Sequence, residues 1–122
     1  MGLPPPLKPP GDALNQLMMM LGGLTPRRYT HISFHFPPGV SELEASHYIQ
    51  PVINKADDWL KYTGNCWIVW SSKTPTEWYE QFAGIERLKA CSILVVKLDL
   101  TPQNRAGQFP EWIWDWIHKP RY

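Results

Sequence analysis

The chain has 122 residues, which is enough for one hydrophobic core but not for two. Apolar residues make up 43% and charged residues 19%, a globular mixture that argues against disorder of the whole chain. The formal net charge is +1, so no broad electrostatic field attracts nucleic acid or acidic lipid. Seven tryptophans in so small a domain indicate a core with bulky side chains, an interface, or both.

The cysteines and the hydropathy pattern bear on location. Cys66 and Cys91 lie in or beside apolar segments, and two cysteines are too few for a zinc box or a disulfide framework. We expect both to be buried thiols of a reducing compartment. The sequence shows no signal peptide, and its longest apolar stretch is too short to span a membrane. It therefore predicts a cytoplasmic protein without membrane contact.

The N-terminal part divides into an arm and the start of a domain. Residues 1–10 are rich in proline, which restricts its own backbone and the preceding residue, so this arm is predicted to be extended. Residues 11–122 are predicted to form a single domain. Within it, Asp12 caps a predicted helix over 12–22, with four apolar residues on one face and Gly22-Gly23 at its end.

The first predicted strand and a long predicted helix follow. Apolar and polar residues alternate from Tyr29 to Phe36, a period that predicts a strand. Residues 41–44 form a capping box, which starts a helix. Apolar residues at helical spacing continue as far as Leu60, and the Thr-Gly pair at 63–64 ends this helix. Pro51 is expected to kink it or split it.

The middle of the chain predicts a strand and a second capped helix. The run from Asn65 to Ser72 is short and apolar, and turn residues bound it, so we expect a central strand buried on both faces. Residues 74–77 read Thr-Pro-Thr-Glu, a capping box with proline at the first helical position. The helix that follows carries Trp78, Tyr79 and Phe82.

The last third predicts a strand, a loop and an aromatic helix. Ser92 to Leu100 reads as a third strand, and residues 101–108 read as a loop because they contain proline, asparagine and glycine. Pro110 to Lys119 is predicted to be helical. Its expected inward residues are Trp112, Ile113, Trp116 and Ile117, with Trp114 off that face.

This order of elements predicts an α+β or α/β domain, a small two-layer sandwich. Strands linked through helices usually run parallel, and helices between three strands can all lie on one side of the sheet. A ferredoxin-like arrangement results instead if one strand is hidden in the loops, or if Trp67 to Ser72 is a bent strand pair.

Three segments carry a resemblance to a known group: Tyr29 to Phe36, Cys66 to Glu77, and Ser92 to Asp99. Their order over residues 29–119 resembles the small ferredoxin-like proteins of the Cas2/SinR-like group. The resemblance implies a ferredoxin-like fold, here with an added N-terminal helix and a tryptophan-rich C-terminal helix, and a dimer. In that group the first strand commonly ends with a metal-binding aspartate. His35 stands at the matching position, which weakens the nuclease interpretation.

One candidate chemical site lies on the polar face of the first strand. His31, Ser33 and His35 are spaced two residues apart and therefore lie on one side. If the third strand is a neighbour, Asp99 can share that side. Two imidazoles and a carboxylate would hold a divalent metal, as a nuclease or phosphodiesterase needs. Alternatively, one histidine would act as a general base. Solvent-facing positions of an amphipathic strand would show the same pattern.

The candidate binding residues are basic and aromatic. Arg27 and Arg28 form the only dense basic pair, and Trp67 or Trp114 would serve as stacking platforms for a nucleic acid. Near-neutral charge and the absence of a complete catalytic set favour another hypothesis, a non-enzymatic interaction or regulatory protein without a required cofactor. It would dimerise or bind a protein partner through these tryptophans.

Overall fold

The computed structural model describes residues 26–121, so the predicted arm over 1–10 and the predicted helix over 12–22 lie outside the described residues. The strands are β1 (Arg28–His35), β2 (Asp58–Thr63), β3 (Cys66–Ser71) and β4 (Ser92–Leu98). The helices are α1 (Glu42–Ile53), α2 (Pro75–Ala83) and α3 (Glu111–His118). Two short 3-10 helices cover Glu86–Leu88 and Pro102–Asn104. The predicted α+β class is confirmed.

The strands form one four-stranded sheet in the order β2-β3-β1-β4, and every neighbouring pair is antiparallel. The expectation of three strands with parallel neighbours is therefore wrong. β1 and β2, which α1 connects, do run in the same direction, but β3 lies between them. β3 and β4 are likewise separated by β1. α1 and α2 thus each connect two parallel strands that have one other strand between them.

The long helix predicted to reach Leu60 is the largest error. Ser41 Oγ accepts a hydrogen bond from the Glu44 N–H at 3.3 Å, so α1 begins at the predicted cap, but it ends two residues after Pro51. Proline does not split it. Residues 58–63 then pair with β3 as a hairpin, in which Leu60 is buried. At the predicted helix end, β2 finishes at Thr63 and the hairpin turns at residues 64–65.

α2 begins as predicted. Thr74 Oγ1 accepts from the Glu77 N–H at 3.1 Å, and Glu77 Oε1 accepts from the Thr74 N–H at 2.9 Å. These two bonds satisfy N–H groups that the first helical turn leaves without partners. The Thr74 backbone N–H, followed by its side chain, holds the pKa of Glu77 below the ordinary value. The capping box is confirmed.

The main core lies between the sheet and the pair α1 and α2. Trp67 of β3 and Trp78 of α2 have no exposed surface. The Trp67 indole N–H donates to Gln50 Oε1 at 3.3 Å, and the Trp78 indole N–H donates to Ser71 Oγ at 2.9 Å. Both indole N–H groups therefore have hydrogen-bond acceptors inside the core. Bulky core side chains are confirmed, and Trp67 has no surface to present to a partner.

α3 packs on the opposite face of the sheet and adds a third layer to the predicted two. Ile113 and Ile117 are buried against Leu60 and Ile68. Trp112, predicted inward, is exposed, and Trp114, predicted off the inward face, packs against this cluster. The reason is that the inward face of α3 is centred on Ile113 and Ile117, one turn apart, and this leaves Trp112 on the solvent side.

The end of the described chain fastens α3 to β2. The Arg121 guanidinium lies 4.0 Å from the centre of the Trp116 ring, and its Nη1 donates to the Trp116 carbonyl at 2.7 Å. Nη2 donates to Asp58 Oδ2, also at 2.7 Å. Burial works to raise the pKa of Asp58, but the hydrogen bond from Arg121 and that from the Trp59 N–H outweigh it, so this pKa lies below its ordinary value.

Candidate interaction surface

β4 is an edge strand of the sheet. It pairs with β1 at seven positions in a regular register, from Tyr29 opposite Leu98 to His35 opposite Ser92. Within residues 26–121, no strand lies on its other side. Natural edge strands are usually blunted by charges, proline or bulges. β4 carries a single charge, Lys97, and neither a proline nor a bulge, so it is open to pairing with another strand.

The face of β4 on the α3 side is apolar, and only its last residue, Leu98, packs against the α3 cluster. α3 packs over β2 and β3, and it leaves Leu94 58% exposed and Val96 37% exposed. Leu94 lies opposite Ser33, and Val96 lies opposite His31. We call the two exposed side chains of Leu94 and Val96, together with the outer edge of β4, the β4 surface. Contiguous exposed apolar side chains of this kind mark interaction sites.

A neutral polar pair lies beside the β4 surface. His31 Nε2 and the Tyr62 hydroxyl are hydrogen-bonded, and their rings are 5.7 Å apart. Burial lowers the pKa of His31, so its imidazole is neutral at pH 7. Burial raises the pKa of Tyr62 to about 12, so the phenol is also neutral at pH 7. This part of the face carries no charge that apolar contact would have to desolvate.

The three predicted metal ligands do not come together. His31 and His35 share one face of β1, but they are four positions apart, which is about 13 Å along a strand. Asp99 lies beyond the end of β4, at the opposite end of the sheet from His35. Its carboxylate accepts from the Thr101 N–H at 3.0 Å and from Asn104 Nδ2 at 2.9 Å. Across residues 26–121, no group of three His, Cys, Asp or Glu side chains is arranged to hold a metal ion.

The predicted basic and aromatic binding residues are also dispersed. Arg27 and Arg28 lie at the start of β1, where Arg27 Nε contacts Asp57 Oδ2 at 2.7 Å and Arg28 Nη1 donates to the Ser72 carbonyl at 3.2 Å. Trp67 is in the core. Trp114 is half-buried on α3, with its ring centre 5.8 Å from that of Phe109. The structure does not form the predicted platform of these arginines with Trp67 or Trp114.

Sequence reasoning missed the β4 surface. Ser92 to Leu100 was correctly expected to contain a strand, but an apolar run does not reveal which side is covered or whether the strand lies at an edge. The single charge in the strand gave no usable signal, because a central strand and an unprotected edge strand both carry few charges.

Comparison of the chain with protein-family models, with curated proteins and with solved structures gave no match. None of the helices in the described residues is long and apolar enough to cross a membrane. Function is therefore inferred from the geometry of the surface.

Proposed function

We propose that this chain is a small non-enzymatic interaction protein that forms a homodimer by pairing β4 with β4 of a second copy. The observation that carries the proposal is an edge strand that has no neighbour on its outer side within residues 26–121 and on which Leu94 and Val96 are exposed. Burying apolar surface drives protein association, and an exposed edge supplies backbone hydrogen bonds to an added strand.

Self-pairing suits the residue order of β4. In an antiparallel pair with a two-fold axis at Val95, Leu94 of each copy opposes Val96 of the other, and all four side chains lie on one face. Lys97 then opposes Ile93 and not another lysine, so no like charges face each other across the strands. Each aliphatic cross-strand pair contributes roughly 0.2–1 kcal/mol beyond alanine.

The proposal includes a ferredoxin-like fold and, with it, the likeness to the Cas2/SinR-like group. The order strand, helix, strand, strand, helix, strand over residues 28–98 and the sheet order β2-β3-β1-β4 support this arrangement. β1 contains no acidic residue, which favours a dimerising relative over a nuclease. The free thiols of Cys66 and Cys91 support a cytoplasmic location.

The test is the oligomeric state of the full chain over a concentration series, measured by light scattering after gel filtration. Leu94→Lys places a charge on the β4 surface, and we expect it to give a monomer. Leu43→Lys is the matched control, because Leu43 is 83% exposed on α1, away from β4. It should remain a dimer like the wild type. Circular dichroism establishes that both variants are folded.

Two outcomes would refute the proposal. One is a wild-type chain that stays monomeric at every concentration. The other is a folded Leu94→Lys variant that dimerises as strongly as the Leu43→Lys control, since the dimer would then use another surface.

A further inference from the structure

The side chains of Leu94 and Val96 lie on a face of the sheet, and pairing of β4 with a second copy at its edge does not cover that face. On the side of α1 and α2, Ile93 and Val95 pack against the main core. On the side of α3, only Leu98 packs against the α3 cluster, and Leu94 and Val96 are exposed in the part of the chain that the structure describes. One face of β4 therefore lacks the cover that the opposite face has.

The uncovered part of this face has the width of one α-helix. α3 packs over β2 and β3, so most of β1 and β4 remains, and two strands about 4.8 Å apart present a face about 10 Å wide. A helix with its side chains is about 10–12 Å across. The neutral pair of His31 and Tyr62 lies beside Leu94 and Val96, so an apolar helix would remove water from no charged group there.

The chain carries a segment whose sequence suits this face. Residues 12–22 are predicted to form a helix, and Asp12 is their only charged residue. Spacings of three and four place four apolar residues on one side of that helix: Leu14, Leu17, Met18 and Leu21. A helix of eleven residues is too short to be stable by itself in water, so it depends on packing its apolar side against the domain.

The segment is tethered next to this face. The described chain begins at Pro26, two residues before β1. Val96 pairs with the fourth residue of β1, roughly 10 Å from the start of that strand. Residues 23–27 can span up to about 17 Å, and a helix of eleven residues is about 16 Å long. The helix can therefore lie along β4 and reach both Val96 and Leu94, and the short tether gives it a high effective concentration there.

We propose that residues 12–22 pack as a helix on the side chains of Leu94 and Val96, with Leu17 and Met18 towards them. This helix would be the second one on its side of the sheet, next to α3. The proposal goes beyond the proposed dimer and does not depend on it, because the helix lies on the face of β4 and leaves the outer edge free. In the dimer, the helices of the two copies would be about 10 Å apart, which is an ordinary distance for packed helices.

The experiment is NMR of the full chain, labelled at the methyl groups of leucine, valine and methionine. In the wild type we expect nuclear Overhauser contacts between the methyl groups of Leu94 or Val96 and those of residues 12–22. Leu17→Asp places a charge on the apolar side of the segment, so it should shift the methyl signals of Leu94 and Val96. Gln16→Asp is the matched control, because helical spacing puts the same charge on the opposite side, and it should leave both signals in place.

The proposal is overturned if the wild type shows none of these contacts, if Leu17→Asp moves neither signal, or if Gln16→Asp moves them as much. Signals that change with protein concentration but not with Leu17→Asp would mean that a second copy covers the face, which also overturns it. Light scattering on the same samples keeps the two proposals distinguishable. A monomer whose Leu94 signal responds to Leu17→Asp supports the helix and refutes the dimer, and a dimer without that response does the reverse.

Discussion

Arg121→Ala tests what holds α3 on the sheet. The Arg121 side chain is 5% exposed, although it lies near the end of the chain. It donates to Asp58 Oδ2 and to the Trp116 carbonyl, both at 2.7 Å, and its guanidinium lies over the Trp116 ring. Alanine removes both donors and the stacking contact together. It also leaves the Asp58 carboxylate without its closest cation.

The contacts of Arg121 set limits on the stability that Arg121→Ala is expected to lose. A hydrogen bond to a charged group contributes about 1.5–3 kcal/mol, and removing one partner of a fully buried ion pair costs about 3–5 kcal/mol. Asp58 is 28% exposed, so water can solvate its carboxylate once Arg121 is gone. We therefore expect Arg121→Ala to lower the free energy of unfolding by about 2–3 kcal/mol, which is less than the cost of breaking a fully buried ion pair.

Urea denaturation measures this loss, and thermal unfolding should show a fall in Tm of about 10 °C or more. Lys119→Ala is the control, because the Lys119 ammonium lies 3.5 Å from the same carboxylate but is 61% exposed. Such a surface pair contributes less than about 1 kcal/mol. If Arg121→Ala were no more destabilising than Lys119→Ala, the contacts of Arg121 would not be what fastens α3.

Two further predictions concern acid and the core. Because the pKa of Asp58 is lowered in the folded state, its ionised carboxylate stabilises the fold at pH values above the unfolded-state pKa of about 3.9. This stabilisation is lost as the pH falls through the pKa of the folded state. The stability advantage of the wild type over Asp58→Asn, measured by urea denaturation at several pH values, should therefore shrink below about pH 4; an advantage that does not change with pH would contradict this. Trp67→Ala should lower the free energy of unfolding by about 3–5 kcal/mol, because the ring is fully buried and packs edge-on against Phe34. A variant as stable as the wild type would show that Trp67 is not a core residue.

Local signals in the sequence determined much of the fold. Ser41 and Thr74 are caps because their oxygens accept from N–H groups three residues ahead, an interaction that depends only on neighbouring residues. β1 follows from its alternation, and β3 from a short apolar run between turn residues. These features were predictable because the residues that cause them lie within a few positions of one another.

Only the tertiary structure decided which segments pair as strands, which side chains are buried and which strand lies at the edge. Residues 58–63 fit a helix by spacing, and they form a strand because β3 offers them a hydrogen-bonding partner and buries Leu60. Contacts with residues distant in the sequence also bury Trp67 in the core, and the strand register separates Asp99 from His31 and His35. It also made β4 an edge strand, because strand order is set by which faces and edges pack together over the whole domain, and a local pattern does not encode that.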